Sequence, residues 1–144
     1  MNSQDRVRAT TSQPDLAAIQ DAQRVLVEEG MKIREQVLGA SYVRNAQSLP
    51  EFEQPLQDMA VAAGWALCWS RPGLERKTRS LICIAVLSAL GRDEELKVHI
   101  RGALSNGCTE DEIREVLFQL SVYAGAPCAI NATRIASRVL GKRE

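Results

Sequence analysis

Histidine and aromatic residues are scarce in this chain. Of 144 residues one is histidine, and the aromatics are two tryptophans, two tyrosines and two phenylalanines. A lone histidine excludes a multi-histidine metal centre. The four cysteines, Cys68, Cys83, Cys108 and Cys128, form no CxxC pair, so no His/Cys zinc site and no metal is expected. They read as reduced thiols that pack as small hydrophobes. Neither sign of charge is in excess, with 18 Lys plus Arg against 18 Asp plus Glu. That balance gives no general attraction to nucleic acid or to a membrane surface, and basic residues are not interleaved with aromatics. No apolar run approaches the ~20 residues that cross a bilayer, and the N-terminus has no apolar secretory core. A cytoplasmic protein is expected. Glycine-rich phosphate loops, G-x-S-x-G and HExxH are absent as well.

What is present is helical periodicity. Residues 1–14 read as a loose polar tail and residues 15–144 as one domain. From Asp15, apolar residues recur at helical spacing through Leu16, Ile19, Leu26 and Val27, with a stop expected near Gly30 and a second short piece ending at Gly39. Ser48-Leu49-Pro50-Glu51 has capping-box spacing, and a helix should follow to Trp69 with Leu56, Met59, Ala60, Ala63 and Leu67 inward. Arg71-Pro72-Gly73 breaks it. Leu74 to Leu90 begins basic and becomes almost wholly apolar, which predicts burial on most sides. Asp93 to Asn106 is the next helix. Thr109 to Glu112 is a second capping box opening another, and Cys128 to Leu140 is the last. No segment alternates with period two between turn signals. The expected fold is all-α, an antiparallel bundle of about six or seven helices.

Two clusters carry potential chemistry. His99 titrates nearest neutrality, with Glu95 four residues before it and Gly102 three after, on one helix face. The carboxylate can orient and raise the imidazole, and the glycine would leave room for a ligand. The plain alternative is a surface i,i+4 pair. The second cluster is Arg71, Arg76, Lys77 and Arg79, of which Lys77 reads as solvated. Arg76 and Arg79 share a face near a helix start, where the macrodipole disfavours cations. An anionic ligand or partner carboxylates would relieve that conflict, and arginine forks match carboxylates bidentately. Trp65 and Trp69, four apart, read as packing, with Trp69 placed to wall a pocket.

These features follow one another in a known order. Trp69 to Leu81 resembles W-[ST]-R-P-G-L-x-x-[RK]-T-R-S-L, Gly91 to His99 resembles G-R-x-E-E-L-x-x-H, and Asn106 to Leu117 resembles N-G-x-T-x-D-E-I-x-E-V-L. With Gly30 to Gly39 as an opening, the sequence is similar to the 4-carboxymuconolactone decarboxylase family over roughly residues 28 to 140. The resemblance implies the alkylhydroperoxidase D-like all-α fold, a homo-oligomer (trimer or hexamer), and cofactor-free loss of CO2 from a small anionic lactone, giving an enol-lactone in aromatic catabolism. It implies His99 and Glu95 as catalytic residues and Arg76, Arg79, Arg71 and Trp69 as substrate-binding ones. Two departures stand out. The redox branch of the superfamily has a C-x-x-C ahead of its histidine, where this chain has Arg92 and Glu95. Leu67 stands where many of the decarboxylases carry glutamate. The alternative the second departure raises is an isomerase, cyclase or proton-transfer enzyme acting on another small unsaturated acid or lactone.

Overall fold

The structure, a computed structural model, describes residues 13–45 and 49–141. The expected tail therefore lies outside the described residues save Gln13 and Pro14, as does Ser48 of the first expected capping box. The described residues form seven α-helices and one π-helical stretch, with no strand among them: α1 Leu16–Leu38, α2 Ala40–Asn45, α3 Gln54–Ala60, the π segment Val61–Trp69, α4 Arg76–Ala89, α5 Asp93–Ser105, α6 Glu110–Tyr123 and α7 Ala126–Leu140. Among the described residues, no helix is long and apolar enough to cross a membrane.

The core lies among α4 to α7. Ile84, Leu96, Ile100, Ile113, Leu117 and Ile135 meet there, and Ala129, Ala132 and Ala136 let α7 approach closely. Alongside this unit, α1 packs against the π segment and α5. Local sequence sets the ends. Asp15 caps α1 by accepting a hydrogen bond from the Ala18 amide at 3.0 Å. Thr109 and Glu112 form the full reciprocal capping box of α6. Glu112 also pairs with Lys77 at 2.7 Å, fastening the start of α6 to α4. Thr109→Ala removes one bond of that box and is expected to destabilise the fold by about 1 kcal/mol, visible as a drop of a few degrees in a thermal melt.

Four expectations are corrected. Gly30 does not stop α1, which continues to Leu38. A Cβ on Gly30 would sit 2.7 Å from the Val61 carbonyl oxygen and 3.2 Å from the Ala66 amide nitrogen. The glycine is there for close approach of two backbones, not for a turn. Second, Leu56, Met59 and Leu67 are exposed, and the buried residues after Pro55 are Val61, Ala62 and Ala66. The hydrogen-bond period changes at Val61 from α to π, so a stripe counted at 3.6 residues per turn drifts off the buried side. Third, α4 is not buried on most sides: Ile84 is enclosed, but Ile82, Val86 and Leu90 stand exposed along one outer face. Fourth, Leu16 and Ile19 are exposed, because the first half of α1 extends past the bundle and the helix is buried only from Gly30 onward.

Candidate active site

His99 sits near the middle of α5, half-buried where α5 meets α1 and the π segment. The π segment supplies its aromatic wall. Trp65 lies nearly parallel to the imidazole, 6.2 Å between centroids and 8° between planes. Trp69 is tilted by 36° at 6.4 Å, and the two indoles stack on each other at 5.2 Å. All three rings therefore form one continuous surface. The i→i+5 winding matters here, since it turns Trp65 and Trp69 toward α5 while Val61, Ala62 and Ala66 fill the inner side.

A cavity of about 180 Å³ opens beside His99, lined by Arg34 and Leu38 of α1, Tyr42 of α2, Gln57 and Ala60 of α3, Val61 and Trp65 of the π segment, and Glu95, Val98 and His99 of α5. Burial pushes the His99 imidazole below its ordinary value of 6.5. The Glu95 charge pulls upward and the Arg34 charge downward, and burial wins. No hydrogen bond joins Glu95 to His99 among the described residues, so Glu95 acts on the ring through its field. Because the folded state prefers the neutral ring, this burial favours folding fully above the unfolded value near 6.5. That contribution is lost as pH falls through the lower folded value.

Arg34 is the largest addition to the sequence reading. Its residue is 8% exposed. Its Nε is buried without a hydrogen-bond partner, and its guanidinium lies 5.6 Å above the Tyr42 ring. The sequence did hold a signal. Gly30, Arg34 and Val37 are the buried positions of α1, at i, i+4 and i+7, so a charge occupies the inward stripe.

The other arginines sit apart from this cavity's lining. Arg76 donates to the Gln36 Oε1 at 2.7 Å, bridging α4 to α1. Arg79 donates from Nη2 to the Arg71 carbonyl at 2.9 Å, and its Nη1 lies 3.9 Å from the Cys68 Sγ. Arg79 thus ties the turn after the π segment to α4, next to the Trp69 wall. Leu67 is exposed and outside the cavity lining.

Gly102 corrects another expectation. A Cβ there would lie 2.9 Å from the Val37 carbonyl oxygen and 3.0 Å from the Leu38 Cδ2. It admits α1, not a ligand, and so lets α1 and α5, which carry Arg34 and His99, approach closely.

Residues 54–138 match the carboxymuconolactone decarboxylase family. Over 113 residues the chain is 43% identical to a 4-carboxymuconolactone decarboxylase of Acinetobacter baylyi, covering 78% of this chain and 84% of that protein. Over 118 residues it is 40% identical to a nitrosuccinic acid decarboxylase of Metarhizium robertsii, covering 81% of this chain and 82% of that protein.

Proposed function

The chain belongs to the carboxymuconolactone decarboxylase family, and from that membership we propose that it is a carboxy-lyase acting on 4-carboxymuconolactone or a closely related small carboxylated lactone. The observation that carries the reading is a single imidazole, kept uncharged by burial, on the wall of a small cavity. Two relatives named for different acids share the loss of a carboxyl group, which supports the reaction type more strongly than any one substrate.

The chemistry needs few groups. As the C–C bond to the carboxylate breaks, its electron pair moves through the ring double bond into the lactone carbonyl. Negative charge then grows on that oxygen. A neutral His99 N–H donates to it, and a preorganised donor in a water-poor site stabilises developing charge far better than bulk water does. A proton taken from solvent then adds to the ring carbon, with His99 as the shuttle, and the enol-lactone is formed. Glu95 raises the basicity of the ring between the two steps. Trp65 walls the pocket, and Trp69, outside the cavity lining, backs it by stacking on Trp65. Arg71, Arg76 and Arg79 place positive charge beside that wall and draw in the anionic substrate.

Incubating the purified protein with 4-carboxymuconolactone and following CO2 release across pH tests this. Turnover is expected, with kcat/KM flat at neutral pH and falling on the acid side. The midpoint should lie below 6.5, because protonation removes the neutral ring that burial favours. No CO2, or a midpoint above the ordinary histidine value, would count against the proposal.

We also take the working form to be a homo-oligomer, a trimer or hexamer, in the cytoplasm. Ile82, Val86 and Leu90 on α4 and Phe118, Val122 and Tyr123 on α6 are exposed apolar side chains that a second copy would cover. Four free thiols suit a reducing compartment.

A further inference from the structure

We propose that Arg34 holds the carboxylate that the substrate keeps, which makes this cavity selective for small dianions whose second carboxylate survives the reaction. The proposal rests on the decarboxylase reading for the word "keeps", and on the geometry alone for the anion.

A guanidinium is always charged. Burying one without a partner is expensive, and proteins pair such groups almost without exception. Arg34 is 8% exposed, yet among the described residues it has no carboxylate within ion-pairing distance and no hydrogen bond. Only the Tyr42 ring faces it, at 5.6 Å. Glu95 lines the same cavity but makes no ion pair with it. The rest of the lining is apolar or neutral: Leu38, Ala60, Val61, Trp65, Val98 and Gln57. A cavity whose wall carries a buried guanidinium with no ion pair among the described residues suits a carboxylate, which arginine binds bidentately.

The choice of carboxylate follows from differential binding. Holding the group that departs as CO2 would stabilise the ground state, since its charge leaves it during the reaction. Holding the group that stays stabilises ground and transition states alike. Arg34 should therefore appear in KM and not in kcat. His99, across the cavity on α5, is left for the carbonyl. The orientation leaves the departing carboxylate against apolar and aromatic wall.

Succinate is the probe. It has two carboxylates and no electron sink, so it can bind without reacting, and its binding can be judged whether or not the protein decarboxylates anything. His99 is the only histidine, so its ring proton resonance can be followed in the unmodified protein. Saturating succinate is expected to raise the His99 titration midpoint, because an anion on Arg34 cancels a charge that lowers it. Arg34→Met should abolish this response while melting no lower than the parent, since it removes an unpaired buried charge. Arg34→Lys should keep a weakened response. With a turned-over substrate, both variants should raise KM by roughly 10- to 100-fold with kcat within a few-fold. A succinate response unchanged in Arg34→Met overturns the assignment, as does a full KM with a lowered kcat. Should Arg34→Met fail to fold, an unmoved His99 resonance in the parent protein overturns it equally.

Discussion

His99→Ala is expected to lower kcat/KM for CO2 release by about 10²–10⁴-fold, the range found when a general acid–base group or an oxyanion donor is removed. The fold should survive the change. His99 lies outside the group of buried residues that meet among α4 to α7, and its neighbours on α5, Leu96 and Ile100, fill that core without it. Far-UV circular dichroism should therefore match the parent while activity falls. His99→Gln separates the two roles assigned to the ring. Glutamine retains an N–H donor and cannot shuttle a proton at neutral pH. If charge stabilisation at the carbonyl dominates, glutamine should recover at least a tenfold part of the loss. If proton delivery dominates, it should resemble alanine. Activity within a few-fold of the parent in His99→Ala would end the proposal for this residue.

Burial of the same ring governs its titration. Burial is the first cause of its lowered titration, ahead of both nearby charges. On the proposal for Arg34, a substrate anion there would cancel the Arg34 charge, one of the two causes that lower the ring's titration, while burial would continue to favour the neutral ring.

Much of this was legible in the sequence, for particular reasons. The capping box at Thr109 is local, using residues within one turn, and occurs as expected; the helix expected to begin at Asp15 does so, with Asp15 as its cap. The pairing of Glu95 with His99 is also local, fixed by i,i+4 spacing, and the structure puts both on the wall of one cavity. What escaped were consequences of contact between distant segments. The period changes at Val61, where α1 lies against residues about thirty positions later in the chain. A glycine reads as a helix stop when viewed alone, but Gly30 and Gly102 are both meeting points between helices. Arg34 is not legible locally, because a charged residue in a charged helix looks solvated. Only the packing of α1 shows that its position belongs to the inward stripe with Gly30 and Val37. The expected arginines, Arg71, Arg76 and Arg79, cluster in sequence, whereas the arginine inside the cavity comes from a different helix.

Gly30→Val should produce the largest loss of stability among single changes at the site. Its Cβ would lie 2.7 Å from the Val61 oxygen and 2.9 Å from the Val61 Cγ1, with the Ala66 nitrogen at 3.2 Å on the far side. Two of these are backbone atoms of the π segment, which cannot yield by changing a rotamer. Replacing glycine inside a helix gains at most about 1 kcal/mol of propensity. Overpacking against immovable backbone costs about 1–3 kcal/mol for small insertions, and valine adds two further methyls beyond the Cβ. A net destabilisation of about 2 kcal/mol is expected, on the order of 5 °C in a thermal melt for a chain of this size. Gly64→Ala is the control. It lies in the same π segment, and a Cβ there meets nothing within 4 Å, so it should melt at or slightly above the parent. The two glycines also part in function. Forcing α1 away from Val61 carries Arg34 and Tyr42 off the cavity wall opposite Trp65 and His99. Below its melting temperature Gly30→Val should therefore bind succinate weakly, whereas Gly64→Ala should bind it normally. Equal melting and equal binding in the two variants would mean that the approach of α1 to the π segment sets neither the stability nor the shape of the cavity.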